Sequence, residues 1–266
     1  MKHRYRPTDF LTAWLVAVQF LTKIPVRLRA LPSERQTALA VVFYPLVGVL
    51  IGLILAGFTQ AVGFLPSVLA AALMVVAWIW LTGGLHLDGL ADIADAWLGG
   101  WGEKERTLTI MKDPTCGAMG VLALIAGVLI KFAAVHTLLT FGGAALGLMI
   151  APVVGRLVIL WLFLRAPYVR KNGIGSPIST HLPKTATAGV LAIGVLLVIL
   201  SVAFGFGLWA AAWLAGALMA FLWYYRRAWQ RLIGGVTGDV IGAAVELGEM
   251  LTLLVMAGVL AWQMVS

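Results

Sequence analysis

The sequence predicts an all-α, polytopic integral membrane bundle of about seven spans, preceded by an N-terminal helix that lies in the membrane interface. Three observations carry that prediction. Apolar residues make up 62% of the chain and charged residues only 11%, with a mean hydropathy of +1.00. Apolar runs of about 20 residues, the length that crosses a bilayer as a helix, recur along it. The short alternating segments of a closed membrane barrel are missing. One membrane-embedded domain over residues 1–266 is expected.

Lys2, Arg4 and Arg6 precede an apolar run from Phe10 to Leu21. A secretory signal would end in a small-residue cleavage site, but Lys23, Pro25, Arg27 and Arg29 follow instead. Thr8, Thr12, Gln19 and Lys23 share one helical side, opposite Phe10, Trp14, Val18 and Leu21. A short helix of that kind flanked by cations belongs in the interface. The first span runs from about Thr37 to Phe58, and a charge-free link at 60–67 leads to a second ending near Trp80. After an acidic stretch and a charged loop, span three covers roughly Gly117 to Leu139. Phe141-Gly142-Gly143 turns it into span four, to about Leu164. A Gly- and Pro-rich loop holds Arg165, Arg170, Lys171 and Lys184. The uncharged stretch from Thr185 to Tyr225 fits two spans broken near Gly205 and Gly207, and a last span starts near Asp239.

The 19 Lys and Arg against 11 Asp and Glu give a net charge of +8, but the basic residues sit in short blocks between spans. That is the pattern of cytoplasmic loops and not of a nucleic-acid surface. The blocks at the N-terminus, 165–184 and 226–231 are placed inside, and the uncharged links at 60–67, 141–143 and 204–207 outside. Seven spans then leave 85–113 inside as well. The single cysteine, Cys116, excludes an intrachain disulfide.

Within this apolar chain, residues 86–95 hold a histidine and three carboxylates, His86, Asp88, Asp92 and Asp95. The acids stand at i, i+4 and i+7, a stripe roughly 60° wide on a helix. Like charges so placed repel unless a cation sits against them. Oxygen-only ligands suit Mg²⁺ or Mn²⁺; the bland alternative is a solvated acidic helix start. A second stripe, Asp239, Glu246 and Glu249 at i, i+7 and i+10, follows Gly234-Gly235-Val236-Thr237-Gly238. Its two glutamates lie inside an apolar span, where lipid exposure would cost several kcal/mol. They face a partner or a wet cavity; pairing with Lys131 or Arg156, both also inside apolar runs, is the structural alternative, and the two are compatible. Two acidic stripes with cations at one membrane face suit a metal-bound anionic substrate, and phosphoryl transfer asks mostly for such positioning and neutralisation.

Gly83-Gly84-Leu85-His86-Leu87-Asp88-Gly89-Leu90-Ala91-Asp92 resembles the signature of the cobalamin synthase family, the adenosylcobinamide-GDP ribazoletransferases. The resemblance continues through Phe20–Pro25, Tyr44-Pro45-Leu46-Val47-Gly48, Met111-Lys112-Asp113 with Gly117 and Gly120, Lys131, Arg156, Gly173-Ile174-Gly175, and Gly234–Asp239 to Glu249. The chain departs from the family pattern at Pro114-Thr115-Cys116, where serine, arginine and an apolar residue are usual. It departs also at Ala96, where glycine is usual, and at Gly155, where serine is common.

The resemblance implies a multi-pass enzyme of the bacterial inner membrane, its active site facing the cytoplasm. It implies a Mg²⁺-dependent reaction joining adenosylcobinamide-GDP to α-ribazole or its 5′-phosphate, with GMP released, late in vitamin B12 assembly. Chemistry and resemblance together assign Asp88, Asp92, Asp95 and Asp239 to metal. Glu246 is the candidate general base with Glu249 as its alternate, and Asp239 counts among the catalytic acids. Lys112, Arg156 and Arg231 are assigned to phosphate, with His86 and Lys131 in the substrate-binding set; a helix-capping or packing role for His86 and a helix-packing role for Arg156 are the alternatives. A homo-oligomer is compatible with this. Two other readings share the features: a CDP-alcohol phosphotransferase-like lipid enzyme, whose compact Asp-Gly…Ala-Arg motif is missing here, and an ion-coupled transporter. Against the latter, the acids gather at one face and no inverted repeat is evident.

Overall fold

The computed structural model describes residues 5–265, so Lys2 and Arg4 of the basic N-terminus lie outside the described residues. Helix α1 (Pro7–Leu21) has 15 residues, about 22 Å of rise, too short for a bilayer core of about 30 Å. It buries Ala13, Ala17, Val18 and Leu21 and leaves Phe10 and Leu11 exposed. α2 (Glu34–Ala40) passes through a 3₁₀ turn, Val41–Phe43, into α3 (Tyr44–Val62), and together they are 29 residues, long enough to cross. Its start is fixed by a capping box: Ser33 Oγ accepts from the Gln36 N–H, and the Gln36 side chain accepts from the Ser33 N–H.

α3 packs along α8 (Ala144–Arg165) at Gly48 and Gly52, a G-x-x-x-G pair. A Cβ at Gly48 would stand 2.8 Å from the Pro152 carbonyl oxygen, and one at Gly52 would stand 2.7 Å from Met149 backbone. Between apolar helices, with no hydrophobic force to gain against lipid, such backbone contact supplies the association.

The second expected span is the one the structure alters. α4 (Ser67–Thr82) has 16 residues, about 24 Å, and then the chain turns 91° into α5 (Leu85–Gly99). The turn is made by Gly83 and Gly84 at φ +66° and +68°, left-handed values that only glycine takes without cost. The acidic stretch is therefore a helix of its own, set across the end of α4. After α6 (Lys104–Ile110) come α7 (Ala118–Thr140), α8, the short α9 (Ser176–His181), α10 (Lys184–Phe206), α11 (Leu208–Ile233) and α12 (Gly238–Val265). The break between α10 and α11 falls at Gly207, φ +91°, where the sequence predicts it. Six segments of the described chain are long and apolar enough to cross a membrane, and a seventh exists only if α4 and α5 are one bent span.

α12 is the central helix, packed against α5, α7, α8 and α11. In its most apolar stretch 78% of the residues are buried inside the protein, against 17% for the peripheral α10. That burial is why α12 can carry acids that a lipid-facing helix cannot. The loop after α8 is strapped to its start: the Val169 N–H donates to the Val236 carbonyl, and the Val236 N–H to the Pro167 carbonyl, both at 2.9 Å. Tyr168 and Val236 thereby form a lone parallel β-bridge.

Candidate active site

Gly89 brings the two acidic helices together. A Cβ there would lie 2.7 Å from the Asp239 carbonyl oxygen and 3.1 Å from the Asp239 Cα, so α5 meets the first turn of α12 backbone to backbone. Asp88, next to Gly89, and Asp239 line one cavity of about 160 Å³, with His86, Tyr168 and Gly238 also in its wall. Asp92 is half-buried one turn further on, in the field of Asp88, Asp239, Asp95 and the Arg170 guanidinium. Among the described residues, the Asp88 and Asp92 carboxylates make no hydrogen bond or ion pair, whereas Asp239 is held by Arg170 at 3.0 Å. Arg170 also donates to the Met111 carbonyl at 3.4 Å. Its position follows from the Pro167–Val169 strap, and the Gly175 N–H donates to Tyr168 Oη at 3.2 Å to close the loop. Burial pushes the Tyr168 phenol above its ordinary range, so it stays protonated in this wall.

Several predicted site residues lie elsewhere. Asp95 does not face the cavity's acids for metal. Its two oxygens accept the Gly117 and Gly120 N–H groups, at 2.7 and 2.9 Å, and so cap the start of α7. That contact also explains two glycines of the resemblance, since a Cβ at Gly117 or Gly120 would run into the Asp95 carboxylate. Glu246 and Glu249 likewise leave the cleft. Helical rise carries them about 10 and 15 Å beyond Asp239, into the bundle. There Lys131 Nζ lies 2.5 Å from Glu246 and 2.7 Å from Glu249, and Arg156 pairs with Glu249. Arg156 is 0% exposed and Lys131 4%, with the Lys131 ammonium 4.4 Å over the Trp78 ring. The pairing alternative is thus what the structure adopts. Two carboxylates and two cations cancel, which is how they are tolerated in apolar surroundings. Arg156 and Lys131 are consequently not on a surface that phosphate reaches, and Glu246 is committed to Lys131.

Lys112 is exposed beside Met111, near Arg170. Arg231 is exposed in a separate depression with Trp97, Trp223 and Arg227. His86 is 4% exposed in the cavity wall, beneath Gly242. Arg170 is the residue the sequence assignment passed over; its signal was the basic, glycine-rich loop, but no spacing rule ties that loop to Asp239.

Whether a Mg²⁺ fits can be judged from the donors. No three His, Cys, Asp or Glu side chains among the described residues converge into a ready metal cage. Mg²⁺ does not need one, because it keeps several waters and binds through one or two carboxylates plus substrate phosphates. Asp88 and Asp92, unpartnered and all-oxygen, with Asp239 beside them, fit that demand.

The fold and the site together define a class, a polytopic membrane enzyme with an acidic, arginine-flanked cleft built from helices distant in sequence. Comparison supplies the particular family. The chain belongs to the cobalamin-5-phosphate synthase family, whose profile matches residues 13–257. It is similar to the adenosylcobinamide-GDP ribazoletransferase of Pseudomonas putida, 48% identical over 91% of this chain and 97% of the relative. The Acinetobacter baumannii protein of the same name is 46% identical over 90% and 94%, and that of Pseudomonas aeruginosa 46% over 94% and 99%. No solved structure matches. Membership makes the chain a transferase.

Proposed function

We propose that this enzyme transfers adenosylcobinamide phosphate from adenosylcobinamide-GDP to α-ribazole or its 5′-phosphate, with Mg²⁺, at the cytoplasmic face of the bacterial inner membrane. The observation that carries the reading is the convergence of Asp88 and Asp239 on one cavity with Arg170 at their side. A ribose hydroxyl oxygen of the acceptor forms a bond to the cobinamide-side phosphorus. The bridging P–O bond of the pyrophosphate breaks, GMP leaves with that oxygen, and the hydroxyl proton is taken up by a cavity-wall group. When bound, Mg²⁺ supplies neutralisation of the pyrophosphate charge. Asp88, Asp92 and Asp239 would hold it, Arg170 and Lys112 would meet the phosphate oxygens, and His86 would line the acceptor's side of the same wall. The buried Lys131, Glu246, Glu249 and Arg156 set how α12 seats against α7 and α8, and through α12 where Asp239 stands.

Purified protein in lipid nanodiscs, supplied with Mg²⁺, adenosylcobinamide-GDP and α-ribazole, tests this by mass spectrometry. The complete corrinoid and one equivalent of GMP are expected, and neither in EDTA. Release of GMP without the joined corrinoid would contradict the reading.

A further inference from the structure

The cavity shared by Asp88 and Asp239 has part of its wall in common with a second space. A larger depression of about 630 Å³ also borders the α5 start, lined among others by Gln19, Lys23, Gly84 and Leu124. The two share Phe20, Leu85 and Asp88. They differ in size and chemistry. The smaller, about 160 Å³, is walled by Phe20, Ile159, Phe163, Ile178 and Ile241, with carboxylates only from Asp88 and Asp239. The larger is more open, and Lys23 borders it beside Gly83, whose missing side chain leaves room for the lysine stem.

Resting on the function proposed above, we infer that the smaller cavity seats the benzimidazole-type base of the ribazole acceptor, and that the larger depression receives the corrinoid donor. A corrin ring is far too large for about 160 Å³. Apolar side chains and glycines make up most of the wall, with Tyr44, Tyr168 and His86 the polar groups beside the two acids. A flat, methyl-bearing fused ring needs apolar walls and little else. Seated there, its ribose emerges at Asp88 and Asp239, where the acceptor hydroxyl must meet the phosphorus. The donor reaches Asp88 from the larger depression, with Lys23 near its phosphates. Asp88, common to both spaces, stands where the two substrates join.

The test uses metal-free binding as well as turnover. Ile174, 69% exposed at the cavity wall, becomes tryptophan (Ile174→Trp), a change that leaves the core alone. Ile241→Phe fills the cavity from α12, and Leu124→Trp obstructs the larger depression. Calorimetry in EDTA measures α-ribazole and adenosylcobinamide-GDP separately. Both cavity variants are expected to weaken α-ribazole about tenfold, in Kd and in KM, with donor affinity unchanged, and Leu124→Trp to do the reverse. Unchanged α-ribazole affinity in Ile174→Trp, or its loss in Leu124→Trp, overturns the assignment. Failure of the wild-type protein to form the joined corrinoid would instead remove the proposed function, and the assignment with it.

Discussion

Arg170 Nη2 lies 3.0 Å from Asp239 Oδ2, each side chain about four-fifths covered, and this ion pair ties the loop after α8 to the first turn of α12. Among the described residues, Arg170 is the cation ion-paired to an acid of the cavity. Arg170→Ala is expected to lower turnover about 10²-fold, the usual cost of one charge-stabilising group. Arg170→Lys should recover only part of it, because an ammonium lacks the planar fork. Steady-state kinetics on the three proteins checks this, and full activity in Arg170→Ala would separate the loop from the chemistry.

Asp88→Asn and Asp92→Asn keep shape and lose charge. Each is expected to cost about 10²-fold or more in turnover while the protein still inserts and purifies as a folded monodisperse species. Near-normal rates at saturating substrate and ordinary Mg²⁺ would take these carboxylates out of the metal site.

The buried quartet should answer differently. Removing one member strands its partner without solvent, so Glu249→Gln is expected to destabilise by about 3–5 kcal/mol. Thermal unfolding in detergent would register this as a lower Tm, and Lys131→Met should behave alike. If either variant melts as wild type does but has lost turnover, the glutamates act on substrate after all.

Gly89→Leu tests the crossing itself. A side chain there meets the Asp239 backbone, since even a Cβ would come within 2.7 Å of its carbonyl oxygen. The expected outcome is loss of turnover with α5 and α12 still helical by circular dichroism. An active Gly89→Leu enzyme would mean the close approach is incidental.

Much of the fold was legible in the sequence, because apolar length and charge bias are one-dimensional. The break at Gly207, the turn at 141–143, the short α1 and the helical acidic stripe all follow from them. The candidate site was legible in its residues but not in its depth. Periodicity places Asp239, Glu246 and Glu249 on one side of a helix, yet says nothing of how far each lies from the entrance. At 1.5 Å per residue, ten residues separate a cleft from a buried ion pair. Asp95 was equally ambiguous, since a carboxylate that caps a distant helix looks like one awaiting a metal. Arg170 was hidden for the opposite reason: its place depends on a two-bond strap between Pro167–Val169 and Val236, a tertiary fact with no local pattern. The Gly83-Gly84 pair was visible, but its 91° turn was not.

Sidedness has its own check. With Cys116 replaced by serine, a cysteine at Glu103 should be shielded from an impermeant thiol reagent in intact cells, and one at Gly142 should react. Both positions are solvent-exposed, so burial does not confuse the result. The reverse pattern would move the active site to the other side of the membrane.

The central claim is that acids from α5 and α12 form a single divalent-ion site. Mn²⁺ titration of the purified protein, followed by electron paramagnetic resonance, tests it without turnover. Asp92→Asn and Asp239→Asn are each expected to weaken Mn²⁺ binding at least about tenfold, and the double variant to lose little more than either single one. Wild-type Mn²⁺ affinity in Asp239→Asn, or two independent losses that simply add, would contradict one shared site.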